Sequence, residues 1–169
     1  DQLIMFIQSG IKYIEQLNSI KKMGIKLEQY LLDFAKILLN AVAAKDHYTE
    51  EHSKRVTNTC KTFAKYMELN EEDSYNLVTA ASFHDVGKIG VPDNILQKEG
   101  KLTDEEFETM KLHPTIGANI FSVSDIFKDV VPIIKHHHER VDGKGYPDNL
   151  KGDQIPKLAK MLTLADCLD

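Results

Sequence analysis

The chain has 169 residues, of which 42% are hydrophobic and 28% charged, and carries a formal net charge of −5. That is enough for one domain with a sizeable core, and the mildly acidic balance excludes the basic footprint of a general DNA- or RNA-binding protein. The best apolar run, Tyr30 to Ala44, is broken by Asp33 and Lys36, so no membrane span is expected. No signal-peptide pattern is visible, and a chain starting at Asp1 is expected to be part of something longer. Cys60 and Cys167, the only cysteines, are expected to be small buried hydrophobes in a reducing, cytoplasmic compartment.

Leu3 to Ser19 put Ile4, Ile7, Ile11 and Ile14 at alternating three- and four-residue steps, which predicts a helix with a narrow apolar seam. Two readings stand side by side: a homodimer seam, or a helix packed on its own domain. Met23-Gly24 is expected to break or kink it. Leu27 to Ala44 predicts a second helix, with Leu27, Leu31, Phe34, Leu38, Leu39 and Val42 on one face. Thr49 is expected to cap a helix from Glu50 to Leu69, with His52, Val56, Cys60, Phe63 and Met67 on its inner side. A histidine on an apolar face is by itself more often a satisfied core residue than a ligand.

Asn70 is expected to cap the next helix, whose first turn carries Glu71, Glu72 and Asp73, complementing its positive end. Leu77, Val78 and Ala81 lead inward to His84-Asp85, where Gly87, Gly90 and Pro92 predict the helix end. A buried carboxylate needs a partner; here a metal ion and a plain His–Asp hydrogen bond are equally good readings. Val91 to Leu102 reads as a loop. Thr103 and Glu106 form a capping box for a helix expected to end at His113, because Pro114 disfavours helical geometry before it. His113 there either projects as a ligand or complements the helix dipole.

A short helix is predicted over Thr115 to Val123. Another runs from an Asp125 cap through Val130, Val131, Ile133 and Ile134, with Pro132 in its first turns, and leads into His136-His137-His138. Neighbours on a helix point about 100° apart, so only two of the three, at a fraying end, can face one point. Arg140 to Pro156 is a long loop, of a kind that is usually functional. Pro156 opens the last helix, with Leu158, Met161, Leu162 and Ala165 inward, Asp166 beside them and Asp169 a turn later. No strand stands out, and the fold class is all-α.

The inward candidates are His52, His84, Asp85, His113, His137, His138 and Asp166, from five helices or helix ends. Five imidazoles and two carboxylates exceed what one tetrahedral ion uses; two ions sharing a carboxylate would use all of them. Nitrogen and oxygen donors without a thiolate favour Fe, Mn or Zn over Ca or Mg. Such a pair lowers the pKa of a water between the ions and clamps the attacking and leaving oxygens of a phosphodiester. Lys88 would offset charge on the phosphoryl oxygens, or simply face solvent.

In this order FHDVGKIGVPDNIL (Phe83 to Leu96), LHP (Leu112 to Pro114) and HHERVDGKGYP (His137 to Pro147) resemble the HD-GYP family, a branch of the HD-domain phosphohydrolases. The resemblance covers roughly Leu27 to Asp169. It implies an HD-domain helical bundle over residues 25–169 behind an N-terminal linker helix at 1–24, a bi- or trinuclear metal site, and hydrolysis of cyclic di-GMP to pGpG and, in some members, on to GMP. His52 falls on the family's first ligand and His84-Asp85 on its eponymous pair, with Asp85 between the metals. His113, His137, His138 and Asp166 match the remaining ligands, His136 stays outside, and Lys88 matches the lysine at the scissile phosphate. Trinuclear members place a glutamate four residues before the first histidine. This chain has Tyr48 there, so two divalent ions are expected, Fe or Mn ahead of Zn.

The loop residues Asp142, Gly143, Gly145, Tyr146 and Pro147 are expected to shape the pocket rim and meet substrate or a partner such as a diguanylate cyclase domain. The family continues past its last aspartate into a segment with basic residues that help hold the substrate, so the chain is expected to be truncated at its C-terminus. Two other readings remain: a sensing or interaction module with structural metals, and a phosphodiesterase for a related cyclic dinucleotide such as cyclic GMP-AMP.

Overall fold

The computed structural model describes residues 10–26, Tyr30, Ile37, Lys45 and 49–169, and the chain divides into units of residues 1–38 and 39–169. In the first, residues 10–26 are helical and exposed throughout, with Ile11 at 53% and Ile14 at 58% exposure. The expected break at Met23-Gly24 does not occur, because one glycine costs a helix only about 1 kcal/mol. Ile4, Ile7, the expected helix from Leu27 to Ala44 apart from Tyr30 and Ile37, and Tyr48 lie outside the described residues.

In the second unit the first described helices are α1 (Thr49–Tyr66) and α2 (Glu71–Phe83). Between them Glu68 adopts a left-handed φ of 50°. Leu69 N–H donates to Ala64 O at 3.0 Å and Glu68 N–H to Lys65 O at 3.2 Å, the two bonds of a Schellman closure. That closure ends α1 before the expected Leu69 and leaves Met67 57% exposed rather than inward. Asn70 caps α2 as expected, its side chain accepting from Asp73 N–H at 2.7 Å.

A 3-10 turn, Val86–Gly90, follows, then α3 (Asp93–Leu96), inside what was expected to be loop, and α4 (Asp104–Met110). The Thr103–Glu106 capping box is present in both directions. Helix α4 stops three residues short of the expected end, and His113 opens α5 (His113–Phe121) with Pro114 in its first turn. Proline has no N–H to lose where the helix leaves N–H groups unbonded, so Pro114 starts a helix rather than stopping one.

Asp125 lies in a separate 3-10 turn, Asp125–Phe127, and caps nothing. Helix α6 is only Val131–Lys135, with Pro132 in its first turn. After the loop, α7 (Lys157–Leu168) runs from Pro156. No strand occurs among the described residues; the loop carries one isolated antiparallel bridge, Asp142–Lys151, so the architecture is all-α. No helix among the described residues is long and apolar enough to cross a membrane.

The core lies where α1, α2, α6 and α7 meet: Val56 and Cys60, Leu77 and Ala81, Ile133 and Ile134, Ala159 and Leu162. Full burial of each large aliphatic side chain contributes about 1.5–3 kcal/mol, and the alanines let helix backbones approach. Cys60 is buried as expected, whereas Cys167 is exposed on α7. The 3-10 turn is pressed against α5: a Cβ on Gly87 would lie 1.9 Å from His113 O and 2.5 Å from Gly117 N. This contact sets the position of His113 relative to His84 and Asp85.

Candidate metal centre

Each histidine arrives at a helix end or first turn, where its side chain can project past the neighbouring helix. His52 is in the first turn of α1, His84 and Asp85 follow α2, His113 begins α5, and His137 and His138 follow α6. Asp166 comes from the inner side of α7. The imidazoles form one contiguous group, with ring centroids 5.4 Å apart for His52–His84, 5.1 Å for His84–His137, 5.0 Å for His113–His138 and 4.0 Å for His137–His138.

Three of them share one hydrogen-bonding arrangement. Nδ1 of His84 bonds Ala81 O at 2.9 Å, Nδ1 of His113 bonds Met110 O at 2.8 Å, and Nδ1 of His137 bonds Ile134 O at 2.7 Å. A carbonyl oxygen can only accept, so each Nδ1 carries the hydrogen. Burial pulls the pKa of His113 down, and that of His137 well down, with neighbouring histidines adding to both. Both rings are therefore neutral near pH 7, and each Nε2 presents a lone pair. The Nε2 atoms of His84, His113 and His137 are buried and have no hydrogen-bond partner. His138 is also pulled down, to about 4, by burial and then by His113.

Those lone pairs face more acceptors. His84 Nε2 is 3.5 Å from Asp85 Oδ2 and 3.7 Å from Asp166 Oδ1, and His113 Nε2 is 3.4 Å from Asp85 Oδ1. Lone pair against carboxylate oxygen is repulsive unless a cation lies between them, and buried unpartnered polar atoms are costly. The residues thus fit metal ions. His52, His84 and Asp85 bring ligand atoms within 4.8 Å of one another, and so do His113, His137 and His138. Burial alone would push the Asp85 carboxyl up, but His84, Lys88, His113 and His137 hold it well below the carboxylate range. Lys88, with Nζ 2.9 Å from Asp85 Oδ2 and a side chain only 17% exposed, brings the permanent charge and does not point into bulk solvent.

All seven expected ligand residues therefore meet in one place. His52 differs from the other rings in having two carboxylates on it: Asp166 at 3.0 Å and Asp169 at 2.6 Å. Its pKa is raised, chiefly by the Asp166 bond, with burial opposing and Asp169 adding. His136 lies apart, bonded to Pro132 O and Asp148, each at 2.9 Å.

The loop has a structural explanation. A Cβ on Gly145 would fall 2.3 Å from Arg140 N and 2.5 Å from Glu139 Cα, so only glycine lets the loop pass over the backbone after the histidines. Tyr146 N–H then donates to His138 O at 3.2 Å. Its ring tilts over the His138 ring at 4.8 Å and 35°, with Phe107 edge-on at 6.3 Å. The Tyr146–Pro147 peptide is cis, and Gly143 takes a φ of 76°. Asp142 is bonded by Arg140 at 2.7 Å and by Lys144 N–H at 3.1 Å, so its carboxylate closes the loop on itself.

Sequence reasoning missed Glu139. It is 2% exposed and accepts from the Asp148 and Leu150 N–H groups at 2.7 and 3.0 Å, which clasps the far limb of the loop. A charged residue between two loop segments carries no periodic signal of burial. Gly145→Ala is expected to cost about 3 kcal/mol, at the upper end for overpacking against backbone, read as a lower urea midpoint.

Comparison with known proteins agrees with this geometry. A family model described as an HD domain matches residues 36–169. The cyclic di-GMP phosphodiesterase response regulator RpfG of Xanthomonas campestris is 37% identical over 168 residues, covering 92% of this chain and 44% of the relative. The 3′3′-cGAMP-specific phosphodiesterase 2 of Vibrio cholerae is 37% identical over 134 residues, covering 78% of this chain and 26% of the relative. The chain thus spans less than half the length of these curated relatives. Among solved structures, Bd1817, a HDG"Y"P protein from Bdellovibrio bacteriovorus, superposes with a TM-score of 0.61 at 25% identity, covering 71% of this chain and 40% of that one. With the family model, the curated relatives and the placement of its His-Asp pair in agreement, the chain belongs to the HD-domain family, in its HD-GYP branch.

Proposed function

We propose that this chain is the catalytic part of a metal-dependent phosphodiesterase that opens cyclic di-GMP to pGpG. The observation that carries the reading is the arrangement about Asp85. One carboxylate oxygen faces His84 and the other faces His113, and each of these histidines belongs to a separate trio of ligand atoms. That is a place for two divalent ions, and the donor set suits iron or manganese, with zinc also compatible. Ions bound there supply Lewis acidity and lower the pKa of a water beside the phosphodiester.

The chain's own residues do the rest. His52, His84 and Asp166 hold one side of the site, His113, His137 and His138 the other, and Asp85 spans them. The Lys88 ammonium stands beside Asp85, where it can hold a non-bridging phosphate oxygen. Tyr146 covers the outer His138 ring and narrows the approach. In this reading the catalytic part takes in residues 25–169, with residues 1–24 as a linker before it.

The test is incubation of the purified chain, loaded in turn with Fe, Mn and Zn, with cyclic di-GMP and separately with 3′3′-cGAMP. Linear pGpG is the expected product, and no product with any of the metals overturns the reading. The second substrate is included because a relative named for it matches as closely in identity as RpfG does. Lys88→Ala is expected to lower kcat by about 10²–10³, the usual cost of one lost transition-state donor, with metal content unchanged. A matching loss of metal would show that Lys88 acts through Asp85 instead.

A further inference from the structure

Asp166 is on α7 and Asp169 caps its C-terminal end, and both side chains reach His52. The contact of Asp169 is with Nδ1, at 2.6 Å. Its carboxylate is itself held by the Arg55 guanidinium, through Nε to Oδ1 and through Nη2 to Oδ2 at 2.9 Å. Arg55 sits one turn after His52 on α1, so His52, Arg55 and Asp169 form a closed triangle between α1 and α7. Asp169 directly follows the last helical residue, Leu168, and its side chain is 8% exposed.

This triangle answers a question the other rings leave open. His84, His113 and His137 each give Nδ1–H to the carbonyl three residues back, which fixes the ring and leaves Nε2 for the site. His52 stands in the first turn of α1, and its Nδ1 finds a carboxylate in place of a carbonyl. Outer carboxylates of this kind set the tautomer and orientation of a metal-ligating histidine and raise its basicity. The fork of two nearly parallel bonds from Arg55 fixes the plane of the carboxylate as a single ammonium would not.

We propose that Asp169, oriented by Arg55, is a positioning residue that holds His52 with Nε2 turned toward His84, Asp85 and Asp166. The inference rests on the metal site described above. It also makes the end of α7 part of that site, so that a shift of α7 against α1 changes how the site holds metal.

The test compares wild type with Asp169→Ala and Asp169→Asn, using the purified chain. Manganese affinity is measured by equilibrium dialysis, and the His52 ring nitrogens are followed by long-range 15N NMR in the zinc-loaded protein. Asp169→Ala is expected to weaken manganese binding by about 10–100-fold and to lose the Nδ1-protonated signature of His52. Asp169→Asn, whose amide oxygen can still accept the Nδ1–H, is expected to recover part of both. Unchanged affinity and unchanged ring signals in Asp169→Ala overturn the proposal, even if its melting temperature falls, since they leave Asp169 as only a tie between helices. Should Asp169→Ala fail to fold, Asp169→Asn alone decides: manganese binding weaker than in the wild type supports the proposal and unchanged binding overturns it. Failure of the wild type to take up any metal would instead overturn the metal site itself.

Discussion

Asp85→Ala is expected to leave a chain that holds no divalent metal and turns over no cyclic dinucleotide. Asp85 is 5% exposed, and its two oxygens face different histidines, Oδ2 toward His84 at 3.5 Å and Oδ1 toward His113 at 3.4 Å. No single histidine has that position, so losing one ring weakens one side whereas losing Asp85 weakens both. The fall in metal affinity should exceed about 100-fold, the upper figure for removing only an outer partner. Elemental analysis of the dialysed protein, beside a product assay on the same sample, checks it; metal retained at the wild-type level would remove Asp85 from the centre.

The metal-free protein gives a second readout. A carboxyl held below its ordinary 3.8 contributes stability that is present above that value and is lost as pH falls toward the folded-state value. Acid unfolding of metal-free Asp85→Ala is therefore expected to be less steep in that range than that of the wild type.

Gly87→Ala is expected to damage fold and site together. The new Cβ would lie 1.9 Å from His113 O, 2.5 Å from Gly117 N and 2.8 Å from His113 C. All three are backbone atoms, so no side chain can swing away, and the 3-10 turn must lift off α5. The cost is expected to be about 3 kcal/mol or more, a large share of the 5–15 kcal/mol that holds a typical domain together. Lifting the turn also moves Asp85 from His113. A lower urea midpoint should thus come with lower metal content. An unchanged midpoint would show that the turn shifts freely and that the contact does not set the position of His113.

The features legible in the sequence were those whose causes act within a turn of helix. The Asn70 cap and the Thr103–Glu106 box are contacts between a side chain and a backbone N–H three residues away, and both stand where the pattern put them. The inner face of α7, with Leu162 and Ala165 buried, follows from the helical period. Where two local rules competed, the outcome was decided elsewhere. Pro114 can end a helix or begin one; it begins α5 because His113 and Gly117 pack on Gly87. Met67 has the right period for a core, but a left-handed Glu68 ends its helix early. Cys167, two residues after the buried Ala165 and about 100° per residue round the helix, lies away from the inner face of α7 and is exposed.

The site divides along the same line. Residue chemistry alone determined the all-α class, the inventory of imidazoles and carboxylates without thiolates, and the ordered motifs that place the chain in its family. Only the tertiary structure decided which atoms of those residues are committed and which are left over. It put Nδ1 of three histidines on carbonyls three residues back and left their Nε2 atoms buried and unpartnered. It clasped the loop through Glu139, and brought Asp169 across 117 residues of chain to His52. The reason is physical: capping and periodicity are settled by neighbours along the chain, whereas a buried polar atom is satisfied or left wanting by whatever the packing of distant helices sets beside it.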